Sequence, residues 1–555
     1  MKVIIVGGVA AGAGAAARLR RLDEKAEIIL LERGQYISFA NCGLPYHIGG
    51  VIRDRENLLV MPEKKFRAWF NVDVRTGNEA VAIHRESKVL DIRRADGSAY
   101  SENYDKLLLA TGSSPLDIGI PGSDDKDVLR LWTIPDMDAI NACVAAGAKR
   151  AVVVGGGFIG LEAAENLRER GVAVTVVQHS GHVLPTLDCE MAAFLLRELE
   201  ELGISVLLNT DLARFRRENG KLLASLSDGR ELETDFAIMS VGVRPNSELA
   251  AAAGLELGPR GHIRVDAGLR TSDPDIYAAG DVIEVADPVS GKPTAIPLAG
   301  PANKQGRIAA DNIFGRDSHY RGTFGASVIK VGKLTAASVG LNEQHLKAFG
   351  MEFRKIYTHP GSNAGYYPAA SQMHMKLLFA PDGRIFGAQI VGARGVDKRI
   401  DTIAAAMECG RTAPELAELE FSYAPPYNSA KDPVNFLGMI AQNALDGDSD
   451  PVTPDSIPDG ALILDVREEA ETRLGAIPGA VNIPLGQLRG RLGELDRSRV
   501  IVASCQVGLR GYLAERILKN NGFRAHNLSG GYLTWKMFNF GSCPASKFDC
   551  CGEKR

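Results

Sequence analysis

The chain has 555 residues, too many for one hydrophobic core and enough for about three to four domains. Lys and Arg total 64 against 68 Asp and Glu, so the net charge of -4 gives no reason to expect a nucleic-acid or membrane-surface partner. Eight cysteines are far too few for a disulfide scaffold and point to a reducing compartment, and no apolar run approaches the roughly 18 residues needed to span a bilayer.

Lys2–Val6 (KVIIV) reads as a buried parallel strand. The turn Gly7–Gly12 (GGVAAG) opens an Ala-rich helix running to Leu22, and Glu27–Glu32 (EIILLE) is the second strand. Lys2 followed by the uncharged Val3–Ala17 run imitates a secretory signal, but its glycines weaken an apolar helix and Arg18, Arg20 and Arg21 follow at once. The strand–turn–helix reading explains the segment better and goes with a cytoplasmic location. Amides at the helix start can hold a pyrophosphate, and Glu32 can accept from a ribose hydroxyl. Val9 replaces the middle glycine of G-x-G-x-x-G, so this copy of the motif is the weaker one.

A second copy, Arg150–Leu167, has Gly155, Gly157 and Gly160 at full spacing after a Val-rich strand. Its second strand ends at Gln178, the ribose position. An acid there favours NADH and an Arg favours NADPH. Gln does neither, and the following segment, which has no Arg or Lys, leans to NADH. LLLATGSSP (Leu107–Pro115) and DIYAAGDV (Asp275–Val282) each read as a strand ending in a tight turn.

In this order the four elements resemble the FAD- and pyridine-nucleotide-dependent disulfide reductases. In that family the ATG turn marks the exit toward the NAD domain and the Gly-Asp strand the return. The resemblance implies FAD contacts from Gly7, Ala10, Gly12, Glu32, Arg33, Thr111, Gly112, Asp281, Ala299 and Tyr423. For NAD(P) it implies Gly155, Gly157, Phe158, Ile159, Gly160, Gln178 and Gly242, with the Phe158 ring covering the flavin until nicotinamide binds.

SFANCGLPY (Ser38–Tyr46) carries Cys42 alone where many relatives carry a C-x-x-x-x-C pair. A lone cysteine cannot close an internal disulfide, so a second sulfur, or an oxygen, comes from substrate. A helix start beside Cys42 is expected to lower the thiol pKa. Single-cysteine relatives are peroxidases and oxidases working through a sulfenate, or coenzyme A disulfide reductases working through a mixed disulfide. The peroxidase-like members carry a His where Ala10 stands here, which disfavours peroxide chemistry. GGVAAGAGAAARLRR, SFANCGLPY, PLAGPANKQGR and YAPPYNSAKD are similar to the coenzyme A disulfide reductase branch over residues 1 to about 445. That likeness implies coenzyme A contacts from Arg18, Arg21, Ser38, Asn41, Asn303 and Lys431. It also implies a homodimer in which Tyr366 or Tyr367, with Tyr423, donates to a leaving thiolate.

Asp446–Gly460 is rich in Asp, Pro, Ser and Gly and reads as a linker. Beyond it, ALILDVRE, VIVASCQVGLRG and LSGGYLTW resemble the rhodanese family. In such a loop successive N–H groups face the Cys505 sulfur and Arg510 adds positive charge, which stabilises a thiolate or persulfide. Asp465 and Arg467 support the fold.

The whole chain therefore reads as α/β: two Rossmann-like nucleotide-binding domains for FAD (1–115 and 245–320) and NAD(P) (116–244), and an α+β dimerisation domain (321–445). A linker (446–458), an α/β rhodanese domain (459–540) and a cysteine-containing tail (541–555) follow. The expected activity is reduction of a persulfide, polysulfide or coenzyme A disulfide by NAD(P)H through FAD and Cys42, with Cys505 carrying sulfane sulfur. The alternatives are an NADH oxidase or peroxidase using a Cys42 sulfenate, and a sulfurtransferase passing Cys505 sulfur to a partner protein. Cys543, Cys550 and Cys551 suggest a thiol relay, adventitious metal binding or no role, and no C-x-x-C or His cluster supports a dedicated metal site.

Overall fold

The computed structural model describes residues 1–540, which fall into two compact units. The tail 541–555, with Cys543, Cys550 and Cys551, lies outside the described residues. The first unit is Met1–Val177 with Asp211–Gly325, and the second is Gln178–Thr210 with the chain from Ala326 onward. Among the described residues no helix is long and apolar enough to cross a membrane.

In the first unit, Lys2–Val6 lies in the middle of a five-stranded sheet, between Glu27–Glu32 and Lys106–Leu109, with Asp73–Thr76 and Ile276–Ala278 at the edges. Every pairing is parallel. Both faces are covered, which is why these strands are continuous apolar runs rather than alternating ones. The Ala-rich helix Ala10–Leu22 packs against Ala299–Ile313 with little between them: a Cβ on Gly306 would stand 2.3 Å from the Ala11 carbonyl oxygen. Arg20 interrupts the pattern because it is an anchor. It is buried and donates to the carbonyls of Asp23, Glu24, Ala26, Phe70 and Asn71.

A second parallel arrangement in this unit runs Ala173–Val177, Arg150–Val154, Phe236–Met239, Val128–Leu129. The segment after the ATG turn, Ser113–Pro115, pairs antiparallel with Val243–Pro245. Asn246 locks the crossing: its Nδ2 donates to the Thr111 carbonyl at 2.8 Å, and Thr111 Oγ1 donates back to the Asn246 carbonyl at 2.7 Å.

The second unit has a five-stranded antiparallel sheet, ordered Ser327–Val331, Leu334–Gly340, Ile385–Gly392, Met373–Phe379, Arg354–Thr358. Lys376, 0% exposed, sits among three buried carboxylates and donates to Asp188 at 2.7 Å, Glu190 at 2.6 Å and Glu343 at 2.6 Å. Asp188 and Glu190 open the helix Cys189–Glu201, so this ammonium ties residues 178–210 to the antiparallel sheet. Those residues lie within the stretch read as 116–244 and share contacts with the second unit.

The C-terminal module is a parallel sheet ordered Val481–Asn482, Leu462–Asp465, Ile501–Ser504, Ala525–Asn527. The stretch read as a linker makes bonds to this module. Ser449 and Asp450 bond Glu515, and Val452 bridges Leu528. The module covers the edge strand Arg354–Thr358: Ser529 Oγ accepts from the Tyr357 amide at 2.9 Å, and His359 Nε2 lies 2.7 Å from Thr534 Oγ1.

Replacing the ammonium with an apolar chain leaves three buried carboxylates facing one another. Lys376→Met is expected to destabilise the fold by about 3–5 kcal/mol. The native pairing holds Glu343 below the usual carboxylate range, so its stabilisation is full above that range and is lost as pH falls. The gap in melting temperature between wild type and variant should therefore narrow on acidification, which thermal melts across pH would check.

Candidate active sites

In the first unit the Gly7–Gly12 turn is held by backbone contact. Gly7 has φ +106°, and a Cβ there would stand 2.1 Å from the Ala110 carbonyl oxygen; one on Gly12 would stand 1.9 Å from the Gly7 oxygen. Only glycine lets the chain pass this close to both strand and helix. Glu32 ends its strand with both oxygens at the turn, Oε2 accepting from Gly8 N–H at 2.9 Å and Oε1 from Gly34 N–H at 2.7 Å. Arg33 donates to Ser114 Oγ at 3.2 Å, and Gly112 has φ +64°. Asp281 accepts from Ser113 Oγ at 2.8 Å, and burial raises its carboxyl pKa. Ala10 and Ala299 begin the two helices that pack together.

Of the residues expected around coenzyme A, Arg18 is committed to Asp311, its Nη2 lying 2.7 Å from Oδ1, while Arg21 is exposed. Asn303 Oδ1 would stand 3.2 Å from a Cβ on Gly14. Ser38 takes φ +46° and donates its amide to the Gly8 carbonyl, which brings its segment to the glycine turn. Asn41 and Cys42 are exposed on a single 3₁₀ turn, Asn41–Gly43, before the short helix Leu44–Ile48.

The expected low thiol pKa is not what the structure gives. The protein around the thiol, with Glu162 next in effect, pushes the Cys42 thiol up. Three plus five helical residues are too few to project a strong dipole, and they are outweighed by desolvation and a nearby carboxylate. Two residues that sequence reasoning passed over appear here. Tyr46 Oη donates to Glu162 Oε1 at 3.1 Å, and burial pushes the Glu162 carboxyl up to about 7. Their separation of 116 positions left no sequence signal, although Tyr46 follows Cys42 by four residues.

The second glycine turn repeats the first. A Cβ on Gly155 would stand 2.3 Å from the Ser240 oxygen, and one on Gly160 would stand 1.9 Å from the Gly155 oxygen. Gly157 caps the helix Phe158–Glu169, which includes Ile159, and a Cβ on either Gly157 or Gly242 would meet no atom within 4 Å. Open space bounded by main chain at the start of a twelve-residue helix suits a pyrophosphate. Gln178 is buried, with its amide turned onto its own loop, donating to Ser180 Oγ and the His182 carbonyl.

In the second unit Tyr366 and Tyr423 meet, their hydroxyls 2.8 Å apart, and both are exposed. Tyr367 is exposed as well, and Lys431 lies exposed just before the helix Pro433–Leu445. Cys505, by contrast, is 0% exposed. It follows the strand Ile501–Ser504, and Gly508, at φ +101°, caps the helix Leu509–Asn520. Of the amides expected around the sulfur, the Gly508 N–H is the one bonded to Sγ among the described residues, at 3.1 Å. The Tyr532 N–H at the head of the helix Gly531–Phe538 donates to the Cys505 carbonyl at 2.7 Å. Arg510 forms a two-pronged pair with Glu471, both contacts 2.7 Å, and this holds the Glu471 carboxyl down at about 2. Arg510 also interacts with the Cys505 sulfur. Arg467 pairs with Asp465 beneath the loop and reaches Gln506 Oε1 at 3.1 Å, which makes the two residues the loop's support.

Residues 1–306 match the pyridine nucleotide-disulphide oxidoreductase family. The chain belongs to that family. Residues 326–433 match its dimerisation domain and 454–538 a rhodanese-like domain. The coenzyme A disulfide reductase of Staphylococcus epidermidis is 35% identical over 445 residues, 80% of this chain and 100% of its own. The structure of reduced Bacillus anthracis CoADR-RHD is 46% identical with a TM-score of 0.95, covering 97% of this chain and 98% of that one. A NAD-dependent persulfide reductase from A. fulgidus is 39% identical with a TM-score of 0.91, over 96% and 100%. Members of the family are flavoproteins that use FAD and NAD(P), and the two glycine cradles with Glu32 and Asp281 fit those groups.

Gly508→Ala forces an L side chain into a left-handed conformation at a cost of about 1–2 kcal/mol and turns the amide away from Sγ. Cyanide-releasable sulfur on Cys505 should drop at least about tenfold, read by thiocyanate formation, while flavin content stays unchanged.

Proposed function

We propose that this chain is an NAD(P)H-dependent reductase of persulfides, polysulfides or coenzyme A disulfide, working as a homodimer. In this reading Cys42 is the sulfur nucleophile and Cys505 the carrier of sulfane sulfur. The observation that carries it is the pairing, in one polypeptide, of a lone exposed cysteine on a flavoprotein scaffold with a buried cysteine whose sulfur accepts from an amide. The matches to a coenzyme A disulfide reductase and to a persulfide reductase support it.

The steps assigned to the chain's own residues are these. Cys505, held by the Gly508 amide and facing Arg510, accepts sulfane sulfur as a persulfide. That sulfur passes, directly or on coenzyme A or another small thiol, to the Cys42 thiolate. Attack by Cys42 on a disulfide or persulfide breaks the S–S bond, leaves a mixed disulfide and expels a thiolate, a displacement governed by the pKa values of the attacking and leaving thiols. FAD, when bound, supplies the two-electron reduction that draws on NAD(P)H. Tyr366 and Tyr423 of one protomer, hydroxyl to hydroxyl, serve the sulfur site of its partner as donors to the departing thiolate. Arg18, Arg21, Ser38, Asn41, Asn303 and Lys431 are proposed to line coenzyme A. The arrest of Arg18 by Asp311 leaves Arg21 as the more available phosphate partner. The domain limits read from the sequence are retained in this proposal.

Anaerobic NAD(P)H oxidation on a panel of coenzyme A persulfide, coenzyme A disulfide, polysulfide and glutathione persulfide tests the reading, with sulfide and free thiol scored. Cys42→Ser should lower turnover about 10³-fold or more. Cys505→Ser should spare coenzyme A disulfide and slow sulfane-sulfur substrates. Peroxide-driven oxidation exceeding all of these would replace the reading with a peroxidase. Undiminished sulfur delivery to a partner protein without NAD(P)H would replace it with a transferase.

A further inference from the structure

The side chains above Cys505 decide what reaches its sulfur. Cys505 itself is 0% exposed, so a donor arrives past them. Arg510 joins sulfur to solvent: it interacts with the Cys505 sulfur, and its side chain is 33% exposed. Its guanidinium is already taken, because Nη1 and Nη2 each donate to Glu471, both at 2.7 Å. A two-pronged pair uses the same donor fork that would hold two oxygens of an incoming oxyanion. Arg467 is taken as well. It donates to Asp465 at 2.6 Å, to the Gly475 carbonyl at 2.8 Å and to Gln506 Oε1 at 3.1 Å. Arg473, two residues after Glu471, pairs with Glu469 at 3.3 Å. Each of these arginines has a carboxylate of its own. The rim beside them is apolar. Leu509 and Leu513, one helical turn apart, are 62% and 43% exposed, and Leu474 is 91% exposed. The Leu474 amide donates to the Glu471 carbonyl, and a Cβ on the following Gly475 would stand 2.5 Å from Tyr532 Oη. Tyr532 in turn donates its amide to the Cys505 carbonyl, so this turn abuts the sulfur loop.

We propose that Glu471 determines which donors load Cys505: by holding the fork of Arg510 it turns away thiosulfate and leaves organic persulfides as the donor class. The inference rests on the reading of Cys505 as carrier of sulfane sulfur and deepens it. Both donors react by the same displacement. Cys505 thiolate plus RS–SH gives Cys505–S–SH plus RS⁻; the donor's S–S bond breaks, a new S–S bond to Cys505 forms, and no outside oxidant or reductant is used. With thiosulfate the products are Cys505–S–S⁻ and sulfite. That reaction brings a dianion up to a thiolate, and it needs a cation that no carboxylate already holds. Here the incoming charge meets Glu471 instead, a repulsion that rejects one donor without improving the fit of the other. A persulfide brings at most one negative charge at its sulfur end, and its carbon side lies on the leucine rim. The pair is partly open to water, so screening limits the discrimination to about one or two decades.

The test uses the full-length, FAD-loaded protein with glutathione persulfide or thiosulfate as donor and cyanide as acceptor, following thiocyanate above the uncatalysed rate. Wild type should show kcat/KM for thiosulfate at least about tenfold below that for the persulfide. In Glu471→Gln the thiosulfate value should rise at least about tenfold, while the persulfide value stays within about twofold. Gln keeps an oxygen for the Glu468 amide, which Glu471 accepts at 3.1 Å, so the start of the helix Glu469–Thr472 is preserved. Glu471→Asp keeps the charge and should stay poor with thiosulfate. A purely structural role for Glu471 would instead lower both donors together. That outcome overturns the proposal, as does a thiosulfate value unchanged in Glu471→Gln. Equal use of the two donors by wild type overturns it too, and that comparison stands even if the Gln form does not fold. Cys505→Ser separates the two readings. If it still forms thiocyanate from glutathione persulfide at the wild-type rate, the carrier reading fails. If it is silent and Glu471→Gln gains nothing with thiosulfate, the role of Glu471 alone fails.

Discussion

Two close backbone crossings govern the rest of the first unit. At Gly7 and again at Gly155, the chain leaving a central strand runs against the carbonyl of a neighbouring segment, Ala110 in one case and Ser240 in the other. A methyl group at either point would overlap a backbone oxygen. The helix after each turn can then begin close to the sheet, its amides aimed at the same space. Everything proposed for cofactor binding follows from this steric condition. It is met twice by the same device: a second glycine, Gly12 or Gly160, whose absent side chain clears the carbonyl of the first.

The two cysteines use opposite environments for related chemistry. Cys505 is enclosed, with a main-chain N–H on its sulfur, an arginine beside it and a buried Asp465–Arg467 pair below. That setting suits a sulfur that has to hold a negative persulfide. Cys42 is exposed on its turn, and desolvation by the protein around the thiol, with the Glu162 carboxylate next, raises its pKa rather than lowering it.

Strands, glycine turns and both sulfur loops were legible because each is written in contiguous residues. Lys2–Val6, Glu27–Glu32 and Arg150–Val154 coincide with their apolar runs, and Gly508 stands where the cysteine loop needs a left-handed residue. Partnerships across long separations were not legible. Nothing near Lys376 announces that Asp188, Glu190 and Glu343 close around it, and nothing near Tyr46 announces Glu162. The polar stretch after residue 445 reads as a linker because composition reports solvation, whereas the Ser449 hydroxyl and the Asp450 amide both donate to Glu515. The Cys42 environment differs from the expectation for a related reason: local helix geometry is visible in sequence, and desolvation by the surrounding fold, with a carboxylate from a distant helix, is not.

The seating of the C-terminal module on the strand Arg354–Thr358 has an engineering consequence. That strand is the outer margin of its sheet, and a bare margin offers unsatisfied amides to any passing chain. Ser529 takes the Tyr357 amide, and Thr534 bonds the buried His359 ring just beyond the strand, where burial lowers the imidazole pKa. Truncating the polypeptide before the module would therefore uncover a sticky border, and the shortened protein would be prone to self-association unless those positions were redesigned as surface.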